Sequence, residues 1–426
     1  MQARVHPVSG PIHGRMRVPG SKSITNRALV CAAMAQGTSE LVNASESDDT
    51  TLLSNGLNLL GVLARRAGDR LVVEGQGGML SSPKFPIPIG NAGTTFRFLL
   101  SLSGLAKGTT RFSLSPRMAE RPLDDLVGAL DQLGVRVERD VSGLVVSVHG
   151  GGIRGGKTTL RGDRSSQFLS SLLMAAPRAD GAVSITVEGT LPSAPYVRMT
   201  IDVLRAFGIT VAATDDLRTF DVPASQRFRP VVYPVESDAS GASYPFGAAA
   251  IAGGEMCVEG LHTQSLQGDT AFVRVLERMG CTVRENGGAM AVSRTGELQG
   301  IDVDMNGMPD VVPTLAAVAL FAGGPTRIRN VAHLRFKESN RLETLAEELR
   351  KLGAHIDVHD DGLSIVPKAL RGASLSSHDD HRLAMVFGLI GLKIPGVVID
   401  GAECVTKSYP AFWDELGTLA GVTRTG

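Results

Sequence analysis

Cysteine is scarce in this chain and never paired. Cys31, Cys257, Cys281 and Cys404 are the only four in 426 residues, far apart and without a CxxC motif. That argues against a zinc site and suits a reducing compartment. An excess of charge of either sign is also missing: Lys plus Arg number 43, Asp plus Glu number 43, and the formal net charge is zero. There is no global basic field to draw the chain to nucleic acid or an anionic membrane, so any anion site has to be local. Long hydrophobic runs are absent as well. The N-terminal MQARVHPVSGPIHGRMRVPG has no apolar signal core, and LAMVFGLIGLKIPGVVI is broken by Lys393 and Pro395. No membrane span is expected, and the expected location is cytoplasmic.

What the chain does have is a period. Leu, two residues, an apolar residue and Gly recur as LNLLG, LDQLG, LRAFG, LERMG and LRKLG, ending at Gly61, Gly134, Gly208, Gly280 and Gly353, at intervals of 73, 74, 72 and 73 residues. A degraded sixth copy, LGTLAG, ends at Gly421 after 68 residues. Each glycine follows an amphipathic stretch such as ETLAEELRKL, as a left-handed residue does when it ends a helix. The segments that follow, such as GVRVERDVSGLVVSV, alternate in polarity about a turn and predict hairpins. Half a period away lie small, nearly all-apolar stretches: ALVCAAMA, FRFLLSLSGLA, FLSSLLMAAP, PFGAAAIAGG, PTLAAVALFAGG and LAMVFGLIGL. A helix apolar on every side is buried on every side. The repeat therefore predicts strand, buried helix, strand, amphipathic helix and hairpin, six times over.

Polar clusters precede these helices. PGSKSITNR, GNAGTTFR, RSSQ, ESDASGAS, MPD and HDDHR introduce the buried ones; SESDD, RMAERP, SAPY, QGD, FKESNR and TKSY introduce the amphipathic ones. Capping explains SESDD, QGD and ESDASGAS as well as ligand binding does. The cations are harder to explain that way, because a cation at a helix start opposes the dipole unless it shares an anion. Lys22 and Arg27 bracket one first turn, Arg121 begins a second helix, Lys337 with Arg341 a third, Arg382 a fourth and Lys407 a fifth. Any one of them alone would pass as a solvated surface charge. Five together predict a strongly anionic ligand with more than one phosphate or carboxylate. The acids among them, Asp48, Asp49, Asp310, Glu338 and Asp380, serve either to orient the cations or to move protons. His378 and His381 are metal ligands by type, but there is no HExxH spacing and the surroundings are cationic, so no metal is expected.

PGSKSITNR, GNAGTTFRF, PRMAERP, RSSQF, DASGASY, MPD, LRFKESNR, DDHRLAM and TKSYP, in that order along the whole chain, resemble the motifs of the 5-enolpyruvylshikimate-3-phosphate synthase family. The resemblance implies an α/β, two-domain enolpyruvyl transferase fold of six βαβαββ repeats, three per domain, with helix N-termini facing the interdomain cleft. One domain would span residues 19–235 and the other residues 1–18 plus 236–426, with hinge crossovers near 15–20 and 230–240. The implied reaction moves the carboxyvinyl group of phosphoenolpyruvate to the 5-hydroxyl of shikimate 3-phosphate, without metal or organic cofactor. These two small molecules are the implied partners, with no nucleic acid or membrane, and the protein is expected to be a monomer. Carried over by position, Lys22, Ser23, Arg27, Ser165, Ser166, Gln167, Ser193, Tyr196, Asp310 and Lys337 would bind shikimate 3-phosphate. Lys22, Gly93, Arg121, Gln167, Arg341, Arg382 and Lys407 would bind phosphoenolpyruvate. Asp310 would be the base on the hydroxyl and Glu338 the proton exchanger at the methylene carbon, assisted by Lys22 and Lys407. The chain departs from the family in GTTFRF, where bacterial members have GTAMRP, and in His333, where asparagine is common.

Two rival readings are weighed on residues. The sister transferase acting on UDP-N-acetylglucosamine uses a loop cysteine near the PRMAERP position, and residues 105–125 contain none. GGIRGGKT, residues 151–158, fits the phosphate-loop pattern G-x-x-x-x-G-K-[ST] letter for letter and raises the possibility of a nucleotide hydrolase or kinase. That function needs a helix directly after Lys157-Thr158. The repeat instead places a strand there, with the next helix starting at RSSQ.

Overall fold

The five glycine-ended stretches close helices as their spacing predicts. In the computed structural model, which describes residues 1–426, Gly61, Gly134, Gly208, Gly280 and Gly353 all have φ between 81° and 102°. Each donates its N–H to the carbonyl three residues back, and the next residue reaches five back; Gly134 N to Asp131 O is 2.8 Å and Val135 N to Leu130 O is 2.9 Å. A side chain would add about 1 kcal/mol or more of strain at such a φ. The sixth copy differs: its helix, Phe412–Leu419, ends at Ala420 in extended conformation.

The small-residue stretches form Lys22–Met34, Gly93–Ser103, Ser166–Ala175, Ala239–Ala252, Val312–Ala319 and His381–Gly391. Every residue of Ala239–Ala252 is buried. Side chains such as Phe96, Leu99 and Phe168 are fully enclosed, each contributing about 2 kcal/mol of apolar burial. No helix is long and apolar enough to cross a membrane.

The chain divides into two units, Gly20–Val235 and Met1–Pro19 with Glu236–Gly426. Each has its own apolar core and three four-stranded sheets. All six sheets share one plan. Ile87–Gly90 runs parallel to Thr109–Leu114, with the buried helix between them in sequence; Thr109–Leu114 is antiparallel to Val145–His149, which pairs in turn with Arg136–Arg139. This is the βαβαββ repeat.

Chain order is broken in three of the sheets. Ile12–Met16, which precedes the Lys22–Met34 helix, pairs with Gly254–Glu259. Val232–Pro234, which precedes the Ala239–Ala252 helix, pairs with Gln36–Val42. In the last sheet only one hairpin strand follows the helix, Val422–Thr425, and Gln2–Val5 from the other end of the chain supplies the second, lying between it and Val398–Asp400.

Candidate active site

In the unit Gly20–Val235, the polar motifs gather at the starts of both kinds of helix. Ser21 caps Lys22–Met34, and Lys22 Nζ lies 2.9 Å from the buried carboxylate of Asp49. Thr95 Oγ1 donates to the Asp49 carbonyl at 2.8 Å, joining the GTTFR helix to the same point. Arg27 is 1% exposed. Its Nε donates to Thr200 Oγ1 at 2.7 Å, Nη2 to Ser170 Oγ at 3.2 Å and Nη1 to the Ser23 carbonyl at 3.0 Å. Its guanidinium also lies against the rings of Phe98 and Tyr196. Burial lowers its pKa to about 10, still well above neutrality, so it stays charged while its hydrogen bonds go to uncharged acceptors. One guanidinium thus ties together the helices that begin with Lys22-Ser23, with Ser165-Ser166-Gln167 and with Ser193-Tyr196.

Ser165 caps Ser166–Ala175. Ser193, left-handed at φ 61°, sets up Ala194–Ala206. Gln167 is fixed at both ends, accepting from Arg97 Nη1 at 2.5 Å and donating to Thr94 Oγ1 at 3.0 Å. Gly93 begins its helix with the Arg121 guanidinium laid on it: a Cβ there would stand 2.6 Å from Nη1 and 2.8 Å from Cζ. Only glycine allows this approach.

In the unit formed by Met1–Pro19 and Glu236–Gly426, cations and carboxylates interlock. Arg341, 1% exposed, donates to both oxygens of Asp380, Nε to Oδ2 at 2.9 Å and Nη2 to Oδ1 at 3.1 Å. It also lies 2.8 Å from Glu338 Oε2 and 3.4 Å from Asp310 Oδ1. Arg382 Nη2 reaches Asp310 Oδ2 at 2.7 Å, Lys337 Nζ lies 4.0 Å from Asp310, and Lys407 Nζ lies 3.5 Å from Glu338 Oε1. Asp380 caps His381–Gly391 through the Arg382 N–H. Burial alone would raise the pKa of Asp310, but Arg382, Lys337 and Arg341 pull it far below the usual carboxylate range. Asp269, hydrogen-bonded to Ser240, goes the other way: burial and the nearby Asp310 push it up to about 7. His333 is 5% exposed with no partner for Nε2. Burial, Lys337 and Arg341 lower its pKa to about 3, which keeps the imidazole neutral.

The positions of three cations correct the sequence reading. Arg121 does not begin a helix. It follows the short Pro116–Glu120 helix in extended conformation, because the residue before Pro122 is pushed out of the helical region; the amphipathic helix starts only at Asp124. Lys337 and Lys407 likewise lie at the ends of the short turns Ala332–Phe336 and Ala402–Lys407. Lys22, Arg341 and Arg382 do lie in helical first turns. Ser47 and Asp238 act as caps. Arg97, the partner of Gln167, is not among the cations that the helix starts single out; its signal in the sequence is a lone charge inside an otherwise uncharged helix. GGIRGGKT is a turn in which Gly151, Gly152, Gly155 and Gly156 take positive φ. The strand Gly156–Arg161 follows, with Lys157 exposed and Thr158 bonded to the Ala129 carbonyl, so no phosphate-loop helix exists.

Two units of three βαβαββ sheets, with guanidinium, ammonium and carboxylate groups interlocked at helix starts and short turns within each unit, have the fold of the enolpyruvyl transferase class. The fold is similar to that of the solved enolpyruvyl transferase NikO from Streptomyces tendae, with a TM-score of 0.80 over 100% of this chain and 98% of that one; at 19% identity the likeness is one of fold alone. The particular family follows from the sequence comparisons. The family model of EPSP synthase (3-phosphoshikimate 1-carboxyvinyltransferase) matches residues 7–416. A 3-phosphoshikimate 1-carboxyvinyltransferase from Syntrophobacter fumaroxidans is 43% identical over 98% of this chain and 100% of its own length. The solved EPSP synthase from Acinetobacter baumannii has a TM-score of 0.81 at 26% identity, covering 99% of this chain and 100% of that one. The chain belongs to the EPSP synthase family.

Proposed function

We propose that the residue clusters of the two units hold and activate the two substrates of the family's reaction. The enzyme transfers the carboxyvinyl group of phosphoenolpyruvate to the 5-hydroxyl of shikimate 3-phosphate, a step of the shikimate pathway of aromatic amino-acid biosynthesis. The hydroxyl oxygen bonds to C2 of phosphoenolpyruvate and loses its proton, while the methylene carbon gains one, giving a tetrahedral intermediate. Loss of a methyl proton and cleavage of the C2–O bond to phosphate then give the enol ether and inorganic phosphate.

The observation that carries the assignment is the convergence of Arg341 and Arg382 on Asp310, Asp380 and Glu338, with Lys337 and Lys407 alongside. Arg341, Arg382, Lys407, Arg121, Gly93, Gln167 and Lys22 bind phosphoenolpyruvate. Lys22, Ser23, Arg27, Ser165, Ser166, Gln167, Ser193, Tyr196, Lys337 and Asp310 bind shikimate 3-phosphate. Asp310 takes the hydroxyl proton and Glu338 exchanges the methylene proton, with Lys22 and Lys407 assisting. A carboxylate held far below its usual range is a weak base. An incoming phosphate or carboxylate that takes over Arg382 and Arg341 removes the charges that depress Asp310 and brings its own negative charge, and both effects raise Asp310's basicity. On this reading the substrate's binding switches on the base. The same reading makes the protein a cytoplasmic monomer, its two domains hinged where the chain passes between the units.

The test is a coupled phosphate-release assay with both substrates, in EDTA and without nucleotide. Turnover is expected. A requirement for ATP and magnesium, or no release with shikimate 3-phosphate, would overturn the assignment.

A further inference from the structure

We propose that Glu348 is a positioning residue for phosphoenolpyruvate, holding from behind the turn that carries Asp380 and thereby aligning Arg341 and Arg382. Glu348 lies on the Arg341–Lys351 helix. That helix is amphipathic, and a carboxylate on it belongs in solvent, yet Glu348 is 0% exposed. Both oxygens are engaged: Oε1 by Lys351 Nζ at 2.7 Å and His378 Nε2 at 2.7 Å, Oε2 by Lys351 Nζ at 2.8 Å and the Ser376 N–H at 2.9 Å. Burial alone would raise its pKa; these donors hold it below the ordinary value, so it stays a carboxylate.

Two of the partners belong to one short segment. Ser376 ends the strand Ser374–Ser376. His378 and Asp379 then both take left-handed backbone, at φ 51° and 56°, a conformation that consecutive non-glycine residues adopt only where their surroundings impose it. The Asp380 N–H closes the turn on the Ser377 carbonyl at 2.9 Å. Asp380 next caps the Arg382 helix and takes Arg341 on both oxygens. One helix therefore grips the 376–380 turn at two points seven residues apart, about 10 Å along its axis. Arg341 holds the end that faces the chemistry, and Glu348 holds the end that sets the strained backbone. Without the Glu348 charge, His378 and Ser376 lose their anchor and the turn relaxes towards right-handed backbone. Asp380 then moves with it, and both arginines follow.

This inference rests on the assignment of Arg341 and Arg382 to phosphoenolpyruvate, so the experiment includes a variant that tests that assignment separately. Steady-state kinetics on the full-length enzyme would compare Glu348→Gln, His378→Gln and Arg341→Lys, with thermal unfolding of each. For Glu348→Gln, KM for phosphoenolpyruvate is expected to rise about fivefold or more, with KM for shikimate 3-phosphate within about twofold. His378→Gln should shift in the same direction by less, and because that side chain is part exposed it carries the test if Glu348→Gln does not fold. Arg341→Lys should raise KM for phosphoenolpyruvate in every case. If it does, while Glu348→Gln and His378→Gln leave that constant unchanged or raise both constants in parallel, positioning is wrong and Glu348 only braces the fold. If Arg341→Lys leaves KM for phosphoenolpyruvate unchanged, the site assignment fails and the inference falls with it.

Discussion

Gly93 and Arg121 show how little room a buried guanidinium is given. A methyl group at residue 93 would collide with the far end of a flexible side chain rather than with backbone, so Gly93→Ala should fold normally and displace the Arg121 fork. KM for phosphoenolpyruvate should rise about tenfold, the cost of weakening one charge-assisted hydrogen-bond pair, with an unchanged melting temperature. Lys22→Ala and Arg121→Ala should each lower kcat/KM roughly a hundredfold. Lys157→Ala, on an exposed strand residue, should stay within about twofold; equal losses in all three variants would return GGIRGGKT to candidacy. His333 gives a pH signature. Its folded pKa of about 3 lies below the ordinary 6.5, so between those values the unfolded chain binds the extra proton. Stability therefore rises with pH through that window, and His333's contribution is lost as pH falls from 6.5 to 3. His333→Asn should flatten the slope between pH 5 and 6.5, where it approaches about 1.4 kcal/mol per pH unit for one full proton. Denaturant titrations at several pH values would show it, and an unchanged slope would contradict a neutral buried imidazole. Lys22, Arg341 and Arg382 were legible because a cation in a helical first turn breaks a local rule. Glu348 and Asp269 were not, since a carboxylate in a polar stretch looks solvated until the packing encloses it.

At the scale of the elements, the signals are local. The C′ glycines, the all-apolar helices and the hairpins each announce themselves within about ten residues, and the six-fold period follows from them. The period could not tell which strand completes which sheet. Val232–Pro234 pairs with Gln36–Val42, and Ile12–Met16 with Gly254–Glu259, and pairing over such separations leaves no mark in either segment. The short segments Pro116–Glu120, Ala332–Phe336 and Ala402–Lys407 leave no mark for a similar reason: a single turn is too brief to show periodicity. The glycine endings can be tested directly. At Gly61, φ is 95° and an added Cβ meets nothing within 4 Å, so Gly61→Ala isolates the backbone penalty. It should cost about 1 kcal/mol in urea unfolding. Gly421, outside the left-handed region, has only ordinary contact with His6 in prospect, and Gly421→Ala should change stability by less than about 0.5 kcal/mol.

At the scale of the whole chain, the degraded sixth repeat finds its explanation in the first five residues. A repeat that ended as the others do would need two strands after Phe412–Leu419, and only Val422–Thr425 is there. Gln2–Val5 fills the missing place, pairing with Asp400, Ile399 and Val398 on one side and with Thr425 to Val422 on the other. Ala3 and Val5 are buried in the core of that unit, and the Met1 carbonyl accepts from the N–H groups of Gly401 and Ala402, at the start of the turn that ends in Lys407. The N-terminus is therefore an interior strand of a sheet, with both edges in use. Deleting residues 2–5 would expose ladder groups on two neighbouring strands and remove the burial of Val5, a loss of at least about 3 kcal/mol. The loss falls on one unit. Calorimetry of the truncated chain should show the transition of Met1–Pro19 with Glu236–Gly426 moved several degrees down, while that of Gly20–Val235 stays in place. Because the loosened turn carries Lys407, phosphate release should fall further than the remaining folded fraction accounts for. A truncated chain with both transitions and full activity intact would mean that the strand from the N-terminus is dispensable, and that the last repeat closes without it.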